Sequence, residues 1–286
     1  MNYAIAHHST MLSDSHRLEA FKKAIEELVK KDSTVVDIGT GTGILASYAA
    51  TLTEKEVVGV EYFPATANIA TALAKSAGLD NLRIYRGSSF DLKLEQDPDV
   101  LISETIGPIG PEENIVELFW DFCRRHPSIQ KKIPARLEVL AVPCFSPELE
   151  RLYDQMKGQH QSASHGRFNY AAVERSLEEA FSTQYYQPDS KGTILTGNEV
   201  TLADYNLGVD FRSDFLKEID LTDSIGNAIH LFFRAKLSDS TQLSSHLSAP
   251  NTHWRHSFVR VPSGAQHVKI SYSSKTNNFH FDWRTA

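Results

Sequence analysis

Three glycines at alternate positions mark the place where this chain is built to hold a ligand, in the stretch Val35-Val36-Asp37-Ile38-Gly39-Thr40-Gly41-Thr42-Gly43. Glycine lacks a Cβ, so it adopts positive φ readily and lets a large ligand approach the main chain. A dinucleotide-binding loop has its third glycine three positions after the second, where this sequence has Ile44. The pattern therefore predicts a strand that ends beneath a large ligand, without the dinucleotide arrangement.

A glutamate that ends the next predicted strand indicates what this ligand carries. The segment Val57-Val58-Gly59-Val60-Glu61 is short, apolar and terminated by an acid. An acid at this position of a doubly wound sheet accepts hydrogen bonds from a ribose diol. A carboxylate at a strand end is usually just solvated, but next to the glycine loop Glu61 predicts an adenosyl ligand.

Three more carboxylates flank a loop rich in glycine and proline. Glu104 ends a predicted strand, and Glu112 and Glu113 follow the loop 105–111. Because ligands bind at the carboxyl ends of strands in such sheets, we expect Glu104 to face the ligand crevice and Glu113 to return to it across the loop. Composition alone favours a simpler interpretation, in which Glu104 is solvated and the other two acids complement a helix dipole. On that interpretation Glu112 faces solvent.

Apolar spacing predicts the elements that position these groups. Leu18, Phe21 and Ile25 recur at a helical period ahead of the glycine loop. We predict helices over residues 15–31, 43–52, 64–75 and 111–125, and strands over residues 35–38, 57–61, 82–85 and 99–103. Strands that alternate with helices imply a parallel sheet covered on both faces, in a doubly wound α/β fold.

The pattern changes after Ile133-Pro134-Ala135-Arg136. Alternating apolar segments separated by polar turns then predict antiparallel strands, except for helical spacing between Pro147 and Phe181. We therefore predict two domains. Residues 1–132 form a ligand-binding domain, and residues 133–286 form an antiparallel β domain from which a helical insertion projects at about residues 147–182.

Composition limits the class of protein. With 286 residues, 41% of them hydrophobic, the chain can form a sizeable core. The two cysteines, Cys123 and Cys144, show no metal-ligand spacing and favour a reducing compartment. Since neither a leader segment nor a run of about eighteen apolar residues is found, we expect a cytoplasmic protein without a membrane partner or a metal. A net charge of −7 argues against nucleic acid as a partner and suits a cationic substrate.

Two motifs resemble those of known methyltransferases. Asp37 to Gly43, followed by Ile44-Leu45, resembles motif I of class I S-adenosylmethionine-dependent methyltransferases. Ser103-Glu104 with Glu113 resembles the double-glutamate loop of protein arginine methyltransferases. The resemblance implies a Rossmann-like domain that binds S-adenosylmethionine, and an acidic clamp for a guanidinium.

Three other segments agree with the arginine methyltransferase family. Asn251-Thr252-His253-Trp254 is similar to its Thr-His-Trp loop, and Ile133 to Arg136 is similar to the junction into its β-barrel. His8 to Asp14, followed by Arg17, resembles the N-terminal segment that folds over the cofactor. The likeness runs from about residue 3 to the C-terminus and identifies the chain as similar to a divergent member with a short N-terminus.

The resemblance implies a role for each matching residue. Arg17 would pair with the methionyl carboxylate of the cofactor, Glu61 would accept the ribose hydroxyls, and Glu104 and Glu113 would clamp the substrate guanidinium. The remaining positions are Asp37, Gly39, Gly41 and Gly43 beneath the cofactor, Asp91 at the adenine, Asp14 and His253 as a pair at the substrate, and Met11, Thr105, Ile115 and Trp254 around the methyl and substrate pocket. The family's dimerisation arm matches the predicted insertion, so we expect a homodimer.

The chain departs from the family where the substrate would bind. Thr105 stands where the family has a bulky aromatic residue, and the loop carries two Gly-Pro steps in place of aromatic residues. From the resemblance we expect the family's preceding tyrosine-bearing helix to be absent here or shortened to Tyr3. These departures concern the substrate more than the chemistry.

We predict an S-adenosylmethionine-dependent N-methyltransferase that acts on a guanidino nitrogen of arginine in a peptide or protein. Methyl transfer from a sulfonium releases a neutral thioether, so positioning dominates catalysis. Two carboxylates can hold a guanidinium so that its third nitrogen faces the methyl group. Two alternatives remain open: an N-methyltransferase of a small guanidino or amino metabolite, and a cofactor-binding scaffold without turnover.

Overall fold

The first half of the chain folds around a five-stranded parallel sheet. The computed structural model describes residues 10–163 and 171–285. The strands of this sheet are β1 (Val35–Ile38), β2 (Val57–Glu61), β3 (Leu82–Arg86), β4 (Val100–Ser103) and β5 (Lys131–Ile133), in the spatial order β3-β2-β1-β4-β5. All neighbouring pairs in this sheet are parallel. Because the strand order changes direction between β1 and β4, a crevice opens at the carboxyl ends of these two strands.

Helices precede or connect these strands. They are α1 (Ser15–Leu28), α2 (Ile44–Ala50), α3 (Pro64–Ser76) and α4 (Ile115–Arg125). The predicted apolar face of α1 is buried at Phe21 and Ile25. Strands β1, β2 and β4 are buried along their whole length, as parallel strands covered on both faces must be. The predicted doubly wound α/β fold is confirmed.

The helix predicted over residues 111–125 is broken near its start. Pro111–Glu113 form a short 3₁₀ helix, and Asn114, at φ 61°, separates it from α4. A residue at positive φ interrupts a right-handed helical backbone. The side chains of Glu112 and Glu113 therefore leave the backbone in directions that a continuous α-helix from Pro111 would not give them.

The second half of the chain is antiparallel, as predicted. Its strands are β6 (Arg136–Phe145), β7 (Ile194–Leu195), β8 (Val200–Asn206), β9 (Phe215–Asp220), β10 (Ala228–Lys236), β11 (Gln242–Ser244), β12 (Ser257–Arg260), β13 (Ala265–Ser273) and β14 (Asn278–Thr285). One sheet has the order β11-β10-β6-β7, with β12 paired to β10 and β8 paired to β6, and a smaller sheet has the order β14-β13-β9.

One hydrophobic core joins the two halves. Phe119 of α4 and Ile102 of β4 are fully buried in the same cluster as Leu137 of β6 and Phe233 of β10. Side chains of the antiparallel half therefore take fixed positions beside the crevice of the parallel half. The boundary at residues 132 and 133 stays a prediction about folding units.

Two helices interrupt the antiparallel half, α5 (Pro147–Ala163) and α6 (Ala171–Thr183). Leu149 and Tyr153 of α5 and Leu177 and Phe181 of α6 are buried together with Phe258 of β12. The predicted insertion is thus packed on the β-strands at its base. Part of the predicted link between the two helices, residues 164–170, lies outside the described residues. None of the helices described is both long and apolar enough to cross a membrane.

Candidate active site

A cavity of about 390 Å³ opens at the switch in strand order. Its walls come from the segment before α1, from the loops that follow β1, β2, β3 and β4, and from the loop before β12. The predicted site residues that line it are Met11, Arg17, Asp37, Gly39, Gly41, Glu61, Glu104, Thr105, Glu113 and His253. Among the residues that the structure describes, no cluster of His, Cys, Asp and Glu is arranged to hold a metal ion.

The glycine loop lies against the cavity with its main chain exposed to it. Gly39 and Gly41 have φ of 69° and 58°, a conformation that glycine adopts without strain. A Cβ on Gly39 would lie 2.9 Å from Cγ2 of Thr105. Gly43, at φ 83°, serves packing instead, because a Cβ there would meet Ala70 of α3 at 3.0 Å.

Two backbone donors hold the carboxylate of Glu61 at the cavity. The N–H of Gly41 donates to Oε2 at 3.0 Å, and the N–H of Phe63 donates to Oε1 at 2.8 Å. Each carboxylate oxygen keeps a further lone pair for a second donor. Glu61 therefore joins the glycine loop to the end of β2 and still offers acceptors to a ligand diol.

Asp37, near the end of β1, lies beneath the glycine loop. Its side chain is buried, and the hydroxyl of Thr40 donates to Oδ2 at 2.6 Å. Burial raises the pKa of Asp37 to about 7, although the Thr40 hydrogen bond opposes the shift. A cation or a polar ligand group above the loop would favour its ionised form.

Arg17 forms an ion pair inside the cavity with Glu104, one of the two glutamates predicted to bind the substrate. Nη1 of Arg17 donates to Oε2 of Glu104 at 2.5 Å, and Nη2 donates to the carbonyl of Met11 at 3.1 Å. Nε of Arg17 is buried and has no hydrogen-bond partner among the described residues. The arginine assigned to the cofactor and the glutamate assigned to the substrate thus form one ion pair.

Glu104 and Glu113 line the cavity from the two ends of the Gly-Pro loop. Burial raises the pKa of Glu104 to about 8, with a further contribution from the charge of Glu113, although the Arg17 guanidinium opposes the shift. The side chain of Glu113 is accessible at the cavity, but protein surrounds it closely enough that burial raises its pKa to about 7. A cation bound between these carboxyl groups would offset the cost of ionising both.

Asp14 connects the start of α1 to the loop that carries His253. Oδ1 of Asp14 accepts the N–H of Arg17 at 3.0 Å, and Oδ2 lies 2.9 Å from both the backbone nitrogen and Nδ1 of His253. Burial raises the pKa of Asp14, but the hydrogen bonds from His253 and Arg17 outweigh it and hold the pKa below its ordinary value. Asp14 does not line the cavity; it orients His253, which does.

The expectation that Glu112 faces solvent is wrong. Its side chain turns back over the Gly-Pro loop, where Oε1 accepts the N–H of Ile109 at 3.0 Å and Oε2 accepts the N–H of Gly110 at 2.8 Å. Burial raises the pKa of Glu112 to about 7. These two hydrogen bonds hold the side chain over the loop.

Besides Asp14 and Gly43, three further predicted site residues lie outside the cavity lining. Ile115 is fully buried in the core, and Leu118, one turn later on α4, lines the cavity instead. Trp254 is 4% exposed and donates from Nε1 to the carbonyl of Ile106 at 2.6 Å, so it supports the loop after Glu104. Asp91 is exposed beside the cavity.

The sequence interpretation missed the aromatic residues at the mouth of the cavity. Tyr62 and Phe63 follow Glu61, and Phe90 follows Ser88 and Ser89 after β3; all line the cavity. Tyr62, Phe63 and Phe90 are each more than half exposed. The sequence contained a signal for these aromatic residues, because large apolar side chains directly after an acid-terminated strand are poorly explained as surface loop residues.

Comparison with known proteins supports a methyltransferase domain. Residues 29–134 match the family model of a methyltransferase domain. Protein arginine N-methyltransferase PRMT10 of Arabidopsis thaliana is 38% identical over 104 residues, which cover 35% of this chain and 27% of that protein. The matches span between 27% and 38% of the length of the first curated relatives.

Solved structures match over nearly the whole chain. The crystal structure of protein arginine methyltransferase 10 of Arabidopsis thaliana aligns with a TM-score of 0.74 at 18% identity, covering 99% of this chain and 96% of that one. The PRMT1 enzyme-prozyme heterotetramer of Trypanosoma brucei, determined with AdoHcy, aligns with a TM-score of 0.73 at 20% identity, covering 98% and 93%. The predicted Rossmann-like methyltransferase domain and β-barrel-like second half are confirmed at the level of the fold.

Proposed function

We propose that this chain is an S-adenosylmethionine-dependent N-methyltransferase that acts on a guanidino nitrogen of arginine in a peptide or protein. The observation that carries the proposal is that Glu104 and Glu113 line the same cavity as the glycine loop and Glu61. One cavity thus offers acceptors for a ribose diol and a pair of carboxylates for a cationic acceptor.

The cofactor fits residues that are already in place. The buried Nε–H of Arg17, which has no partner among the described residues, suits the cofactor carboxylate, because guanidinium and carboxylate groups form strong charge-assisted hydrogen bonds. Glu61 suits the ribose hydroxyls, and the bare backbone at Gly39 and Gly41 suits close approach of the remainder. The aromatic side chains of Phe63 and Phe90 supply apolar surface for a base.

Catalysis follows from how the two glutamates hold the acceptor. When bound, S-adenosylmethionine supplies an electrophilic methyl group on a sulfonium. Glu104 and Glu113 accept hydrogen bonds from two guanidinium nitrogens and keep the positive charge there, so the third nitrogen retains the electron pair that forms the new bond. Because Glu104 is buried and held by Arg17, it needs little reorganisation when the acceptor enters.

The proton released by the methylated guanidinium passes to His253 or to water. Asp14 fixes the His253 ring, because its Oδ2 accepts a hydrogen bond from Nδ1–H of His253 at 2.9 Å. The same carboxylate caps α1 through the N–H of Arg17, so the positions of the base and of Arg17 are set together. This arrangement resembles the pairing of a general base with an orienting carboxylate.

A small guanidino or amino metabolite is the second candidate acceptor. Thr105 and the Gly-Pro loop present little side-chain surface to grip a peptide, and the Thr105 hydroxyl is engaged with Ser103 Oγ at 3.1 Å. A compact substrate needs less of that surface. The cofactor and the clamp are the same in both cases.

One experiment separates the two acceptors. The purified chain is incubated with S-adenosylmethionine and arginine peptides, free arginine or small amines, and products that gain a methyl group are identified by mass spectrometry. Methylated arginine in peptides supports the first acceptor, and methylation confined to small molecules supports the second. Binding of S-adenosylhomocysteine without any methylated product would leave the scaffold interpretation.

A homodimer and a cytoplasmic location complete the proposal. Support for the dimer is the helical pair α5 and α6, which matches in sequence position the dimerisation arm of the family that the chain resembles. Support for the location is that Cys123 and Cys144 are both free thiols, as in a reducing compartment.

A further inference from the structure

Glu112 is a carboxylate of the Gly-Pro loop that the proposed mechanism leaves unused. Its two oxygens accept the N–H groups of Ile109 and Gly110 at 3.0 and 2.8 Å. Carboxylates that accept backbone N–H groups form charge-assisted bonds, which are stronger than neutral ones. Glu112 therefore closes the loop with its own side chain.

Gly107, at the other end of the loop, has no side chain and so leaves room for the carboxylate of Glu112. A Cβ placed on Gly107 would lie 2.4 Å from Oε2 of Glu112 and 2.7 Å from its Cβ. The N–H of Gly107 also donates to the carbonyl of Gly110 at 2.9 Å. The backbone of Gly107 lies outside the left-handed region, so contact with Glu112 is what excludes a side chain there.

Closure of this loop determines where Glu113 points. Trp254 holds the carbonyl of Ile106 before the loop, and the Tyr272 hydroxyl donates to the carbonyl of Pro111 after it, at 3.1 Å. Glu112 holds the segment between these two attachments. Since side chains on a 3₁₀ helix are about 120° apart, fixing Glu112 over the loop directs Glu113 elsewhere, and it lines the cavity.

We propose that Glu112 is a positioning residue, which keeps the loop 107–110 closed and thereby fixes the carboxylate of Glu113 at the acceptor site. The inference rests on the proposed function, because it assigns Glu113 to the acceptor. Glu112 is not among the residues that line the cavity. It acts through the adjacent residue.

The test uses Glu112→Ala, Gly107→Ala and the double variant in the full-length chain. Glu112→Ala removes the carboxylate and Gly107→Ala displaces it, so each should lower kcat/KM for the methyl acceptor on the order of tenfold to a hundredfold, as misplacement of a catalytic group does. The double variant should lose no more than the worse single variant, because both act on one contact. Affinity for S-adenosylhomocysteine, measured by calorimetry, should change less than about twofold.

Two control variants separate positioning from general structural support. Glu117→Ala removes a carboxylate that accepts the backbone N–H and the hydroxyl of Ser213, both at 2.8 Å, away from the cavity. It should destabilise the fold and leave acceptor kcat/KM near normal. Gly158→Ala adds a Cβ that meets none of the described residues within 4 Å and should be silent.

Amide hydrogen exchange gives a readout that needs no acceptor. Glu112→Ala should speed exchange at Ile109 and Gly110, and Glu117→Ala should not. Two outcomes overturn the proposal. The first is a loss of acceptor kcat/KM in the double variant equal to the product of the two single losses, and the second is an unchanged acceptor kcat/KM in Glu112→Ala. If the unaltered chain methylates no arginine acceptor, the proposed function fails, and the role of Glu112 in positioning Glu113 for catalysis fails with it. Faster exchange would still establish that Glu112 closes the loop.

Discussion

Nη1 of Arg17 lies 2.5 Å from Oε2 of Glu104, and the two side chains are only 4% and 5% exposed. The cavity therefore already holds one guanidinium against a carboxylate that follows β4. Removal of one partner from a buried ion pair costs about 3–5 kcal/mol, because the other is left as an unpaired buried charge. This pair connects the stability of the fold to the chemistry of the site.

We expect Arg17→Met to lower the free energy of unfolding by about 3 kcal/mol at pH 8.5. At pH 6 the loss should be smaller, because burial raises the pKa of Glu104 and a protonated carboxyl group needs no cation. Urea unfolding at the two pH values measures the difference. Lys22→Met, which removes a half-exposed pair with Glu26, should be nearly silent at both. Equal losses for Arg17→Met at both pH values would contradict the expectation.

Gly41→Val should abolish binding of S-adenosylhomocysteine. Valine is strained at a φ of 58° and would place its methyl groups where the ligand meets the backbone. Gly78→Val is the matched control, since Gly78 has φ 66° but a Cβ there meets no atom within 4 Å in the part of the chain that the structure describes. Calorimetry should show lost binding in the first variant and retained binding in the second. Normal affinity in Gly41→Val would remove the assignment of the cofactor to this loop.

Glu113→Gln should slow methyl transfer by roughly two to three decades, because loss of a charge-assisted partner in a closed site typically costs about 2–4 kcal/mol of transition-state stabilisation. Glu104→Gln should be at least as slow, since it also disturbs Arg17. Single-turnover rates measure both, with Glu117→Gln as the control carboxylate. Cofactor affinity should stay near normal in Glu113→Gln, and full activity in that variant would refute the clamp.

Activity should rise with pH between about 6 and 8.5. Burial raises the pKa of Glu113 to about 7 and that of Glu104 to about 8, so both are largely protonated at pH 6 and become able to hold a guanidinium only as the pH rises through these values. The profile of kcat/KM for the acceptor reports on the free enzyme and should show this limb. In Glu113→Gln, kcat/KM should rise only at the higher pH values, where Glu104 ionises. A flat profile over this range would mean that neither carboxyl group must ionise for acceptor binding.

The proposed dimer should depend on α6. Val173 of that helix is 38% exposed, and Val173→Glu would place a charge in an apolar interface, so it should yield a monomer. Val209→Glu is the control, because Val209 is 60% exposed outside the insertion and should leave the dimer intact. Light scattering measures both masses. A dimer that survives Val173→Glu indicates another interface.

The sequence by itself determined the parallel sheet and the position of its ligand loop. The apolar runs that form β1 and β2 each end in a short loop with local requirements, three glycines after Asp37 and an acid at Glu61. Such signals are readable because backbone conformation and strand burial depend mainly on neighbouring residues. The carboxyl-end rule for parallel sheets then placed Glu104 near the same crevice.

Only the tertiary structure decided which side chains meet. Arg17 and Glu104 are 87 positions apart, and Asp14 and His253 are 239 apart, so no local pattern encodes those contacts. The direction of Glu112 depends on the N–H groups of Ile109 and Gly110 and on the space left by Gly107, and these become visible only once the loop is folded. Ile115 and Leu118 lie one turn apart on α4, and packing placed the first in the core and the second at the cavity.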